Sequence, residues 1–273
     1  MIGKRAIECA KKSLKAKTAF RLTLPDKDEV VVSNDIPFVF HYYNSEIYTH
    51  HKPVEKHDKN DPLLPPYPPY RKVIYLGEKN ANHYVFINIL MVALGHVVIS
   101  SANPKSVQGE PLNISDCSAL SQMIQGFNEK GIAYYNCGVN SGCSQMHKHV
   151  QFVPFINNPL FSSITKEANQ LNVLRNLKFN FRNYSIALKN YTPYEILKAY
   201  NKLVLNSNWK GDYNFLIANK KAILIPRKCA NDPVYDVNIS SLNLAGHFFI
   251  WEKDNKKILN NPLKIIHDTC IVW

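Results

Sequence analysis

Residues 136–154 read Asn-Cys-Gly-Val-Asn-Ser-Gly-Cys-Ser-Gln-Met-His-Lys-His-Val-Gln-Phe-Val-Pro. A loop of Gly, Ser and Asn runs straight into His147, His149 and Gln151, spaced two apart. If Lys148 to Pro154 forms a strand, all three side chains leave one face, because side chains alternate along a strand. The fold must then present two imidazoles and an amide on a sheet surface, beside a run of backbone N–H groups. Such a set can attack and hold a phosphoryl group.

The flanking sequence supplies a sheet for that strand. Val73 to Leu76, Tyr84 to Ile89 and Val97 to Ser100 are apolar and β-branched, which predicts strands. Ala19 to Leu24 and Pro37 to Tyr43 are further strand-like runs. Ser115 to Phe127 puts Cys117, Leu120, Met123, Ile124 and Phe127 on one helical face, with Ser115 as N-cap and Gly131 as the stop. Ile132 to Cys137 and Lys148 to Val153 are then strands joined by the loop 138–146. An N-terminal helix precedes them, with Ile7, Ala10 and Leu14 at helical spacing. The run Asp-Pro-Leu-Leu-Pro-Pro-Tyr-Pro-Pro-Tyr at 61–70 must be extended or turned, since proline fixes φ and biases its predecessor.

Residues 155–192 are rich in Asn and Ser and read as a mixed connection. Beyond them, Pro193 to Leu205 fits a helix, Tyr213 to Ala218 and Ala222 to Ile225 a hairpin, and Ser240 to Trp251 a helix. The pairs 84–89/97–100 and 213–218/222–225 look alike in outline, as in a degenerate duplication. The expected fold is α+β: an antiparallel sheet with flanking helices, in two related halves. Residues 1–160 carry the chemistry. Residues 161–273 have no His-x-His and supply walls and substrate contacts.

Charge narrows the partners. The net charge of +12 favours an anionic ligand. The basic residues are spread along the chain rather than interleaved with aromatics, which disfavours nucleic acid. No apolar run reaches membrane-span length, and Met1 to Lys17 lacks the apolar centre of a signal peptide. Six scattered cysteines without a CxxC pair imply free thiols and a reducing compartment, cytoplasmic or nuclear.

The residue types suit nucleotidyl transfer. An anionic attacker would be repelled by phosphate oxygens, whereas imidazole is uncharged above its ordinary pKa of about 6.5. It can hold the group as a phosphoramidate and so divide one hard displacement into two. The attacking nitrogen must be unprotonated, so its partner nitrogen should donate to a fixed acceptor. The backbone carbonyl of His147 is the natural candidate for His149. Gln151 and the N–H groups of Ser141 to Gln145 are candidate donors to the developing charge. A His-x-His pair also suits a metal, with Cys137 or Cys143 as a third ligand of zinc. No third ligand has clear spacing, so no metal is assigned.

Taken together, Tyr135 to Gln151 resembles the signature of the diadenosine tetraphosphate phosphorylases, or ATP adenylyltransferases, in the transferase branch of the histidine-triad superfamily. Lys52-Pro53 and Asn60 to Pro66 look like that family's N-terminal segment. Tyr84 to Ser100 resembles its nucleotide-side strand pair. Tyr213 to Ile217, Ile225-Pro226-Arg227, Leu244-Ala245-Gly246 and Pro262-Leu263-Lys264 are similar to its C-terminal domain. The resemblance implies His149 as nucleophile, His147 orienting it and helping the leaving group, and Gln151 binding the transferred phosphoryl group. It also implies a nucleotide and phosphate site made of Asn88, Asn136, Asn140, Ser141, Gly142, Cys143, Ser144 and Gln145, with Lys52 near the polyphosphate. The implied reaction turns diadenosine tetraphosphate and phosphate into ATP and ADP, reversibly, through an adenylyl-histidine that carries AMP. No cofactor is implied, although a divalent cation such as Mg could accompany the polyphosphate.

Two positions depart from the family pattern. Ile89 follows Asn88 where the family usually has lysine, and Trp251 falls on another family lysine, with Lys253 close by. Both bear on chain-length preference. The competing readings are a nucleoside-diphosphate-sugar phosphorylase or hexose-1-phosphate uridylyltransferase, a nucleic-acid-binding protein, and a non-catalytic dinucleotide sensor.

Overall fold

The computed structural model describes residues 2–45, 61–64, 73–75, 82–251 and 258–273. Lys52, the prolines after Leu64, Leu76 and Lys253 lie outside the described residues.

Alternating apolar residues build one eight-stranded sheet. At its centre Ile132–Cys137 (β8) and His149–Val153 (β9) lie side by side, antiparallel. Outward from β8 come Tyr213–Ala218 (β11), Lys221–Pro226 (β12) and Tyr184–Ala187 (β10). Outward from β9 come Val97–Ser101 (β7), His83–Ile87 (β5) and Val73–Tyr75 (β4). Every neighbouring pair is antiparallel. The two hairpins that look alike in sequence thus flank the central pair on opposite sides. Two smaller sheets accompany it. Thr23–Ser33 (β2), Ile36–Tyr43 (β3) and His247–Ile250 (β13) form one, and Phe20–Arg21 (β1) with Leu90–Met91 (β6) the other.

The sheet buries both faces. On the first, Tyr135, Val150, Phe152 and Phe215 pack against helices Ile2–Lys15 (α1), Ile114–Gly126 (α2) and Pro193–Ser207 (α4). On the second, Tyr134, Val153, Leu216 and Ile223 share a core with Phe38, Phe40 and Phe248 of the three-stranded sheet. Helices Pro159–Ile164 (α3), Ser241–Ala245 (α5) and Pro262–Thr269 (α6) complete that layer. Further along the second face, Leu63, Phe86 and Val98 form a small separate cluster. Between these two apolar groups the surface is polar and holds Asn136, His149, Gln151 and Ser100. Among the described residues no helix is long and apolar enough to cross a membrane.

Several elements differ from expectation. α2 is capped by Asn113, not Ser115: the Asn113 side chain accepts from the N–H groups of Ser115 and Asp116, and Asp116 returns a bond to the Asn113 N–H. That closed box outcompetes a serine one turn-step later. The helix ends before Gly131, where Asn128 and Glu129 already take left-handed φ of 55° and 61°. Ser240 to Trp251 is not one helix. A short turn of helix stops at Gly246, with φ 105°, and the aromatic run after it becomes β13, pairing parallel with β3. The stretch 155–192 contains α3 and the edge strand β10, which pairs with β12. α1 buries Gly3, Ala6, Ala10 and Ser13, while Ile7 and Leu14 are only half-buried. Its small stripe permits close approach: a Cβ on Gly3 would meet the Gly126 carbonyl oxygen at 2.3 Å.

Candidate active site

The central strands part at one end. β8 and β9 pair through Tyr134 and Gln151, then separate; Asn136 pairs onward with Asn214 of β11, and His149 with Ser100 of β7. The fork separates the strand that carries both His149 and Gln151 from the loop 138–146 that leaves β8.

His149 is 5% exposed. Its Nδ1 lies 2.9 Å from the carbonyl oxygen of His147. A carbonyl can only accept, so Nδ1 carries the proton and Nε2 carries the lone pair. Burial lowers the His149 pKa to about 4, partly offset by that hydrogen bond and by Asp61. The ring is therefore neutral near pH 7, as a nucleophile requires.

The His147 ring does different work. Nε2 is 2.7 Å from the Ser101 carbonyl oxygen, and Nδ1 is 3.1 Å from Asp61 Oδ2. Both nitrogens face acceptors, which fixes the ring in place. His147 thus meets the His149 ring through its backbone oxygen, while its own ring is held by the Ser101 carbonyl and Asp61.

Gln151 sits in register between Val98 and Tyr134. Its Oε1 accepts from His96 Nε2 at 2.9 Å and from the Tyr134 hydroxyl at 3.0 Å. Both donors hold the same end of the amide, so its NH2 is the end left free of them. His96 is 3% exposed, and burial lowers its pKa to about 4 against the raising effect of the Gln151 bond. The Asn88 Nδ2 lies 3.4 Å from His96 Nε2, two donors side by side rather than a hydrogen bond.

The glycine loop divides into a scaffold and an open end. Gly138 and Gly142 take φ of 80° and 81°, and a Cβ on either would strike Asp212 or the Ile239 carbonyl. Asp212 caps the Asn140 N–H at 2.7 Å. Ser141 is fully buried: its N–H and hydroxyl bond the Gly138 carbonyl, and its own carbonyl accepts from Asn214 and Arg227. The Gly142 N–H is spent on Val139. Ser141 and Gly142 thus build the loop rather than offering donors. The N–H groups of Cys143, Ser144 and Gln145 have no backbone partner among the described residues.

The Asn136 side chain is tied to the distal segment through its oxygen. Its Oδ1 accepts from Asn214 Nδ2 at 2.8 Å and from the Ser241 hydroxyl at 2.6 Å. Arg227, 2% exposed, donates in turn to Asn214 Oδ1, to Thr269 O and to Cys229 O. Lys148 leaves the opposite face of the sheet, where Nζ lies 2.8 Å from Asp116 Oδ2. Burial by itself would raise the Asp116 pKa, but bonds from His83, Lys148 and the Asn113 N–H hold it below its ordinary value.

Among the described residues, no group of three His, Cys, Asp or Glu could hold a metal ion. Cys137 lies in the core on the first face, away from His147 and His149. Ile89 and Trp251 are described, whereas Lys52 and Lys253 are not. Sequence reading missed His96, Tyr134, Asp61, Asn214 and Ser241 as parts of this site.

Comparisons with known proteins identify the family and the fold. The family model for the Ap4A phosphorylase N-terminal domain matches residues 3–168, and that for the ATP adenylyltransferase C-terminal domain matches residues 177–272. A structure of yeast Ap4A phosphorylase Apa2 in complex with AMP superposes with a TM-score of 0.80 at 17% identity, covering 98% of this chain and 97% of that one. Apa2 in complex with Ap4A gives 0.76 at 18% identity, with coverage of 98% and 97%. These likenesses place the chain in the same fold. A search of the curated proteins found no match.

Proposed function

Because this chain belongs to the Ap4A phosphorylase family, we infer that it catalyses phosphorolysis of diadenosine tetraphosphate to ATP and ADP, reversibly, by moving an adenylyl group onto His149 and off again. The observation that carries the chemistry is the fixed tautomer of His149: Nδ1–H on the His147 carbonyl, Nε2 unprotonated in a neutral ring.

In the first step the Nε2 lone pair forms a bond to an α-phosphorus of the dinucleotide. The bond from that phosphorus to the bridging oxygen breaks, and ATP leaves as an anion that needs no proton at that moment. Charge builds on the phosphoryl oxygens. The Gln151 NH2 and the N–H groups of Cys143 to Gln145 are the donors to it in this reading, and preset donors of this kind contribute roughly 3–4 kcal/mol each. In the second step an oxygen of inorganic phosphate attacks the adenylyl phosphorus, the N–P bond breaks, and ADP forms.

Glutamine at 151 explains the choice of acceptor. A neutral amide donates a hydrogen bond but cannot take a proton from water near pH 7. The adduct outlasts water until an acceptor that is already anionic arrives.

The test is incubation with α-labelled diadenosine tetraphosphate without phosphate. The protein should carry label that is lost in acid and kept in base, as a phosphoramidate is, and His149→Ala should carry none. Full turnover by His149→Ala would overturn the reading.

A further inference from the structure

Gln108 occupies the fork between β8 and β9 and is completely buried. Its side chain takes the place of a missing stretch of strand. Nε2 donates to the Asn136 carbonyl at 2.8 Å and to the His149 carbonyl at 3.0 Å, and Oε1 accepts the His149 N–H at 2.7 Å. One amide thus satisfies three backbone groups that lose their ladder partners where the strands part. Its own backbone closes the neck of the glycine loop: the Gln108 N–H bonds Met146 O at 2.8 Å, and Gln108 O accepts the Gly138 N–H at 3.2 Å. The Tyr135 hydroxyl, 2.5 Å from Gln108 O, holds it from below.

We propose that Gln108 is a positioning residue for adenylyl transfer, fixing the backbone of His149 relative to Asn136 and to both ends of the phosphate loop. No other side chain among the described residues bonds both the N–H and the carbonyl of His149. Glutamine is suited to this because it carries a donor pair and an acceptor, as a peptide group does. Glutamate has the same shape without the donors. Methionine has similar length without either. The proposal rests on His149 being the nucleophile, so its test separates the two claims.

Single-turnover labelling with α-labelled diadenosine tetraphosphate is measured for the wild type, Gln108→Met and Gln108→Glu, together with KM and melting temperature. Displacing a nucleophile by about an ångström costs on the order of a hundredfold in rate. Gln108→Met is expected to label His149 ten- to a hundredfold more slowly, with KM changed far less. For Gln108→Glu the carboxylate faces two carbonyl oxygens, whereas its protonated form regains one donor. Its rate relative to wild type should therefore climb as pH falls from 8 to 5, a trend that mere loss of packing does not produce. Folded variants that label at the wild-type rate, or a Gln108→Glu ratio flat with pH, overturn the proposal. If neither variant folds, Tyr135→Phe removes the hydroxyl beneath Gln108 and leaves the amide's bonds. Slower labelling at an unchanged melting temperature then supports the proposal, and an unchanged rate overturns it. A wild type that never labels refutes the nucleophile itself, whatever Gln108 does.

Discussion

His96 holds Gln151 by its amide oxygen, with Nε2 of the ring 2.9 Å from Oε1. The two residues lie 55 positions apart in the chain, yet this contact, with that from Tyr134, fixes which end of the amide is held. His96→Leu keeps the bulk and removes the donor. One oriented hydrogen bond is worth about 1 kcal/mol net, so kcat should fall roughly five- to tenfold while KM for diadenosine tetraphosphate stays close to wild type. Steady-state kinetics check this, and an unchanged kcat would show that Tyr134 alone suffices.

Replacing Gln151 by histidine installs a group that can exchange protons near neutral pH. Gln151→His should raise the ratio of hydrolysis to phosphorolysis, read as AMP against ADP among the products at fixed phosphate. An unaltered ratio would mean that water is excluded by something other than the amide.

The pH profile follows from His149. A histidine whose pKa is lowered stays neutral, and so nucleophilic, down to that lowered value. Burial sets it at about 4. The single-turnover adenylylation rate should therefore hold steady as pH falls through 6.5 and decline only as it approaches 4. A decline centred near 6.5, the value for an exposed imidazole, would show the ring in contact with water.

Beneath the catalytic strand, Lys148 and Asp116 are each 3% exposed and form an ion pair at 2.8 Å. Asp116→Ala leaves the buried ammonium with the Pro111 carbonyl at 2.7 Å and only the more distant Glu110 carboxylate at 4.0 Å, and His83 and the helix cap lose a partner as well. Such losses destabilise by about 3–5 kcal/mol. Adding Lys148→Met removes the stranded charge and should recover at least half of that. Urea unfolding of the single and double variants checks it, and additive losses would mean that the two side chains are not coupled.

How much of this was readable depended on sequence distance. His149 and Gln151 could be read because a strand repeats every two residues, and the His147 carbonyl two positions back because it is local. The partners of those groups come from afar. Gln108 reaches His149 across 41 positions, and Asn214 reaches Asn136 across 78. Nothing in the local pattern marks an amide as a strand surrogate. The loop was half legible: Gly and Ser announce an anion-binding turn, but only packing against Asp212, Asn214 and Arg227 decides which N–H groups stay open. β13 escaped because Leu242, Leu244 and Ala245 begin a helical pattern, and Gly246 ends it before the aromatics begin.

The ladder joining β8 to β11 runs from Ala133 to Cys137 and from Tyr213 to Ile217. Every group proposed to perform chemistry lies on the N-terminal side of that seam, yet the seam is main chain hydrogen-bonded to main chain. A polypeptide severed near residue 170 would bare a raw β-edge through the middle of its own interior, and with it the ground on which the phosphate loop stands. The catalytic segment is thus not a detachable enzyme. The strand that carries Asn136 and leads into the glycine loop is held in place by main chain more than seventy residues further along.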